Sequence, residues 1–168
     1  MKALTTHRVR LAVISLILAV LTLAGCQTAP PAKGLTAQQV AVLKQQGFKP
    51  TDEGWAFDLS GKVLFGSNVD VLNDPSRVVV ERIGRALLGA GINGVRIDGH
   101  TDASGKTAYN EQLSLRRAHS VAVALINIGM AERDIQQRGL GSREPVATND
   151  TPEGRTENRR VAIVVVSQ

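Results

Sequence analysis

The stretch DGHTDASGKTAYNEQLSLRRAHSV, residues 98–121, carries a carboxylate and an arginine at a spacing suited to binding chemistry. Asp102 lies in a Gly/Ser loop, and Arg117 lies in the helix expected to follow it. Leu113, Arg117, Val121 and Leu125 recur every four residues and therefore share one helix face. Arg117 is thus expected near the N-terminal end of an apolar, inward-facing row. An unpaired charge there is costly, so it needs a carboxylate partner, and Asp102 is the expected neighbour. Arg116, about 100° further round the helix, is expected in solvent. Spacing alone leaves two readings open: a salt bridge that fixes the loop, or a ligand site.

The elements that must position these groups follow from periodicity and punctuation. Residues 95–97 (Val-Arg-Ile) form a short strand that delivers Gly99-His100-Thr101-Asp102 into the loop. Asn110 is expected to cap the helix, with Glu111 in its first turn. Asn73-Asp74-Pro75 starts an earlier helix in which Val78, Val79, Arg82, Ile83, Ala86 and Leu87 keep helical spacing, and Gly89 and Gly91 close it. Residues 55–60 and 63–65 read as a hairpin around Gly61-Lys62, with Trp55, Phe57 and Leu59 on one face. Residues 135–140 and 160–166 are the remaining strands. The last is rich in Val and Ile at successive positions, as a strand covered on both faces would be. Residues 141–158 read as a long polar surface loop, expected to be mobile. Strands with two interposed helices make a two-layer α+β, or split βαβ, arrangement.

At the start of the chain, Lys2, His7, Arg8 and Arg10 precede fifteen uncharged residues from Leu11 to Gly25, the pattern of a secretory signal. The run ends Leu23-Ala24-Gly25-Cys26, which looks like a bacterial lipobox with lipid attached at Cys26, the single cysteine. Several acyl chains would anchor the chain stably, since one alone holds only marginally. Gln27 follows where an aspartate would retain a lipoprotein in the inner membrane, which points to the outer membrane. Loss of residues 1–25 leaves 17 Lys/Arg against 15 Asp/Glu, so the net charge falls from +5 to about +2. With five aromatics and no Lys/Arg-rich run, nucleic acid is not an expected partner.

Between anchor and domain, residues 26–53 form a tether. Thr36-Ala-Gln-Gln39 is a capping box, Leu35 and Val40 can form a hydrophobic staple, and Gly47 suits a helix end, so a helix over 37–46 is expected. Such a short helix needs something to pack on. It packs either on its own domain or, through Val40, Leu43 and Phe48 together with Trp55 and Phe57, on a partner protein.

The motif GHTD, then a glycine, then N-x-x-L-S-x-x-R-A-x-x-V resembles the OmpA-like peptidoglycan-binding domain of the Pal/OmpA C-terminal family, over about residues 54–166. The resemblance implies a βαβαβ sandwich with a mixed sheet and helices on one face, following a signal peptide (1–25) and the tether (26–53) in a domain of residues 54–168. It implies a non-catalytic grip on the diaminopimelate of peptidoglycan stem peptides. A zwitterion needs one fixed anion and one fork-shaped cation, which Asp102 and Arg117 offer. Backbone N–H groups of residues 101–105 could take further carboxylate oxygens. By the family pattern Thr101, Ala103 and Asn110 flank the pocket, and a loop with Ser67, Asn68 and Asp70 forms its other wall. Many relatives have Phe-Asp-x-Tyr where this chain has Ser67-Asn68-Val69-Asp70. Asn158-Arg159-Arg160-Val161 matches the family's N-R-R-V, which leaves Arg159 two roles, support of the site or, the favoured one, the start of the last strand. The resemblance extends to lipoproteins that capture a periplasmic regulatory protein and raise cyclic di-GMP; a structural tether from outer membrane to wall is the alternative. His100 and His119 lack metal-ligand spacing, and no G-x-S-x-G or P-loop is present, so neither an enzyme nor a cofactor is expected.

Overall fold

The computed structural model describes residues 34–60 and 70–166. Helix α1 (Ala37–Gln46) begins with the expected box: the Thr36 hydroxyl accepts from Gln39 N–H, and Gln39 Oε1 accepts from Thr36 N–H. It ends at Gly47, left-handed at φ 89°. Strands β1 (Lys49–Thr51) and β2 (Gly54–Ser60) follow, then α2 (Asp74–Gly89), β3 (Val95–Gly99), α3 (Thr107–Asn127), a 3₁₀ turn (Glu132–Asp134), β4 (Ile135–Gly139), α4 (Pro152–Asn158) and β5 (Arg160–Val166). The sheet order is β1-β2-β5-β3-β4; only β3 and β4 are parallel. The result is the expected mixed sheet, with β5 in the middle and buried along nearly its whole length.

Alternation along the strands divides the sheet. Trp55, Phe57 and Leu59 pair with Val165, Ile163 and Val161 on one face, and Ile97 joins them in the core. Helix α3 lies on this face through Val121 and Leu125, both fully buried. Its close approach depends on two glycines. A Cβ on Gly99 would stand 2.0 Å from the Ser114 carbonyl oxygen, and one on Gly139 would stand 2.5 Å from that of Glu111. The other face carries Arg96, Asp98, Arg138, Asp58 and Arg160 as an ion network. Asp98 takes Arg138 at 2.6 Å and Arg96 at 2.9 Å, Arg96 also reaches Glu53, and Arg160 holds Asp58 at 3.2 Å.

Several expectations are corrected. The buried face of α2 is Ser76, Val80, Ile83, Gly84 and Leu87, and Val78 is 65% exposed. A run of three valines fits more than one helical stripe, and packing selects among them. Helix α3 starts at Thr107 with Lys106 as its N-cap, so Asn110 is not the cap and Glu111 lies beyond the first turn. The segment 141–158 contains α4 and is tied down by Asn158. Strand β1 was not foreseen. The expected hairpin arm at 63–65 lies outside the described residues, as do the signal segment and Cys26.

The tether helix packs on its own domain. Leu43 is 0% exposed and Phe48 is buried, both within the core cluster; the Phe48 and Phe57 rings lie 5.5 Å apart. Gln39 Nε2 donates to the Ala90 carbonyl at 3.2 Å, and Arg82 donates to Gln46. Val40, Trp55 and Phe57 are half-buried, with Lys44 Nζ 5.9 Å from the Trp55 ring. Among the described residues no helix is long and apolar enough to cross a membrane.

Gly99→Ala is expected to cost about 1–3 kcal/mol in urea unfolding, because α3 must lift to admit a methyl group. An unchanged midpoint would mean that the helix does not depend on that gap.

Candidate functional site

The parallel pair β3–β4 ends beside the N-terminus of α3, and the loop between β3 and α3 crosses this end. Its shape comes from bonds within the chain. Thr101 N–H donates to the Gly141 carbonyl (2.8 Å), Ala103 N–H to Asn149 Oδ1 (3.0 Å) and Ser104 N–H to Asp102 Oδ1 (2.8 Å). The expectation that these amides would serve a ligand carboxylate is therefore corrected for residues 101, 103 and 104. Asn110 does the work of a clamp: its buried Nδ2 donates to the carbonyls of Ser104 (2.9 Å) and Asp102 (3.3 Å).

Asp102 and Arg117 are both buried at this end of the sheet, but the expected bond between them is replaced. Arg159 Nη1 meets Asp102 Oδ2 at 2.6 Å, and Arg159 Nη2 donates to Thr156 Oγ1 at 2.7 Å. Of the two roles open to Arg159 from sequence, the less favoured one is seen: it sits on the Asp102 carboxylate. Burial alone would raise the Asp102 pKa; the bonds from Arg159 and Ser104 overcome it and hold the carboxyl below the ordinary range. Arg117 is 3% exposed. Burial, and then the charge of Arg159, push its pKa down, against the pull of Asp70, Tyr109 and Asp102. A guanidinium stays charged regardless. Burial is the largest cause of that shift, and three acidic groups act on Arg117 against the one neighbouring arginine.

Asp70 reaches the same neighbourhood from the other side. Its carboxylate pairs with Arg116 at 2.6 Å, and its carbonyl accepts from the Ser120 hydroxyl, so Arg116 is half-exposed but not merely solvated. Ser67 and Asn68 lie outside the described residues. The Thr101 hydroxyl is buried beside Asp102 with no hydrogen-bond partner among the described residues. Asn149 and Asn158, which sequence reasoning missed, brace the loop. Asn158 belonged to a recognised motif, but a single sequence gives no sign that its amide is buried.

His100 is 2% exposed, and its Nδ1 has no partner among the described residues. Burial first, then Arg160, lowers its pKa to about 4, against the pull of Asp98. Among the described residues no three His, Cys, Asp or Glu side chains gather as a metal site.

The OmpA family matches residues 64–159, which include the whole loop, Arg117 and Arg159. The chain belongs to the OmpA family. It is 53% identical over 162 residues to the outer-membrane lipoprotein YfiB of Pseudomonas aeruginosa, covering 96% of each chain. It is 38% identical over 156 residues to the putative lipoprotein YfiB of Escherichia coli K12, covering 92% of this chain and 96% of that one. The solved structure of the cell wall anchor of the T6SS from Pseudomonas aeruginosa is similar, with a TM-score of 0.62 and 32% identity, over 78% of this chain and 95% of that one. OmpA-family membership places the chain among non-enzymatic envelope proteins.

Folding with a neutral His100 sets a sign for pH dependence. Its folded pKa lies below 6.5, so the unfolded chain takes up the proton first and stability falls as pH drops from 6.5 to about 4. The loss should be on the order of 3 kcal/mol and should flatten in His100→Asn. The depressed carboxyls of Asp98 and Asp102 act in a separate window, below 3.8. Urea midpoints from pH 7 to 4 that are parallel in wild type and variant would contradict this assignment.

Proposed function

We propose that this chain is an outer-membrane lipoprotein that binds peptidoglycan. In this reading residues 1–25 are its signal peptide, Cys26 bears its lipid, residues 26–53 form its tether, and residues 54–168 grip the wall. The observation that carries the reading is the buried charge arrangement. Asp102 is held ionised at the loop, and Arg117 is buried in the helix that follows, near enough for Asp102 to act on its charge. A diaminopimelate stem residue ends in an ammonium and a carboxylate on one carbon. The ammonium would meet Asp102 alongside Arg159, and the carboxylate would meet the Arg117 fork. Thr101, Ala103, Asn110 and Asp70 border that space, and Ser67 and Asn68 would complete its wall. Kinship with a cell wall anchor supports the reading.

The finer proposal concerns a partner. Identity of 53% with YfiB over nearly the whole chain supports a signalling role: sequestering a periplasmic repressor, YfiR, to release an inner-membrane diguanylate cyclase, YfiN, and raise cyclic di-GMP. The patch for it is Val40, Trp55 and Phe57, with Leu43 and Phe48 reached once α1 lifts. The docked α1, with Leu43 fully buried, favours the second reading, a Pal-type structural tether.

Two measurements separate these. In co-sedimentation of the detergent-solubilised full chain with purified sacculi, Asp102→Ala and Arg117→Ala should each lower binding at least tenfold, and Arg117→Lys should restore it only in part, because an ammonium cannot make the two-pronged contact. Wild-type binding by both alanine variants would overturn the pocket. Trp55→Gln should alter capture of the repressor with sacculus binding unchanged; unaltered capture would leave the tether reading.

A further inference from the structure

The bracing of the Asp102 loop is done by two side chains from the other end of the chain. Asn149 and Asn158 lie in the segment between β4 and β5. Asn158 is 0% exposed. Its Oδ1 accepts from Val146 N–H (2.8 Å) and Ala147 N–H (3.0 Å), and its Nδ2 donates to the Ala147 carbonyl (2.8 Å) and to Asn149 Oδ1 (3.1 Å). Two donors and two acceptors are thereby all used, which is the full capacity of a carboxamide. Asn149 Oδ1 takes a second bond, from Ala103 N–H. The amide hydrogen of Ala103 can only donate, so the atom facing it must be the oxygen. Its backbone is fixed as well, since Arg155 Nη1 donates to the Asn149 carbonyl at 2.9 Å. The chain of bonds therefore runs from the buried Asn158 through Asn149 to Ala103, the residue that follows Asp102.

We propose that Asn149, seated by Asn158, is a positioning residue for the stem-peptide pocket: it presets the loop so that the Asp102 carboxylate faces Arg159 and Arg117 before ligand arrives. The proposal rests on the peptidoglycan reading above. Its physical basis is preorganisation. Residues 103–106 of the loop are exposed, Ala103 being its one apolar side chain, and a loop that must order on binding loses affinity to its own entropy. Asn149 is half-buried and its Nδ2 makes no bond among those described, so it acts through one oxygen. That gives the two asparagines opposite tolerance for the same change. At 149 an aspartate keeps an acceptor for both donors. At 158 an aspartate loses both donors and turns an acceptor toward the Ala147 carbonyl.

The test uses the full chain in detergent, with sacculus co-sedimentation for affinity, amide hydrogen exchange at Ala103 for the loop, and thermal melting for the fold. Asn149→Ala and Asn149→Leu should bind about tenfold more weakly, roughly the worth of one net hydrogen bond. Their melting should stay near wild type, and exchange at Ala103 should speed up. Asn149→Asp should restore binding to within about threefold of wild type with slow exchange, whereas Asn158→Asp should not. A folded Asn149→Ala that loses protection at Ala103 but binds sacculi like wild type would overturn the proposal and leave the pocket standing. Equal loss in Asn149→Asp and Asn149→Ala would also overturn it. Failure of the wild type itself to bind would instead remove the peptidoglycan reading, and this proposal with it.

Discussion

Arg117 and Asp102 are buried at one end of the sheet, and Arg159 reaches in to pair with the carboxylate. Burying charges is costly unless each has partners that replace water, and truncating one partner leaves the other stranded. Much of the neighbouring structure follows from meeting that requirement. The loop folds back so that Ser104 N–H and Arg159 both reach Asp102. Asn110 spends its carboxamide on loop carbonyls, and α3 must come close enough for this, which only glycine at 99 and 139 permits. A simple ion pair would have closed the account with one acid and one arginine. Here Asp102 pairs with Arg159, Asp70 pairs with Arg116, and Arg117 is buried beside them, so charge of both signs is gathered at one corner.

The opposite face of the sheet also gathers charge of both signs. Asp98 is shared by Arg96 and Arg138, Arg96 also reaches Glu53, and Arg160 takes Asp58. Acids and arginines there match, so the network stiffens the β3–β4–β5 region. His100 sits between the two systems, neutral because burial and Arg160 disfavour its charged form.

Much of this architecture was legible in the sequence wherever a local signal had a single solution. The Thr36–Gln39 box and Gly47 bound α1 to the residue, the unbroken Val/Ile run marked β5 as central, and the four-residue spacing placed Arg117 inward. The failures are equally local. Lys49-Pro50-Thr51 is exposed at every position, so no alternation announces β1. Pro152-Glu-Gly-Arg-Thr-Glu-Asn158 has no apolar face, and α4 is held instead by the Thr151 cap and Asn158. Asp102 was given the nearer arginine in sequence; its actual partner is 57 residues away and became visible only once β5 lay beside β3. The packing of Leu43 and Phe48 into the core was one of two readings that an isolated ten-residue helix allowed, and the Gln39 bond to Ala90 gives it a physical basis.

The central claim is that the corner recognises a zwitterion rather than a single charge. The most direct measurement is calorimetric titration of the full chain in detergent with two stem tripeptides that differ only in the third residue, diaminopimelate in one and lysine in the other. The lysine peptide keeps the ammonium for Asp102 and lacks the carboxylate for Arg117. Tighter binding of the diaminopimelate peptide by tenfold or more is the expected result, as a charge-assisted, two-pronged contact would give. Equal binding of the two peptides would contradict the account.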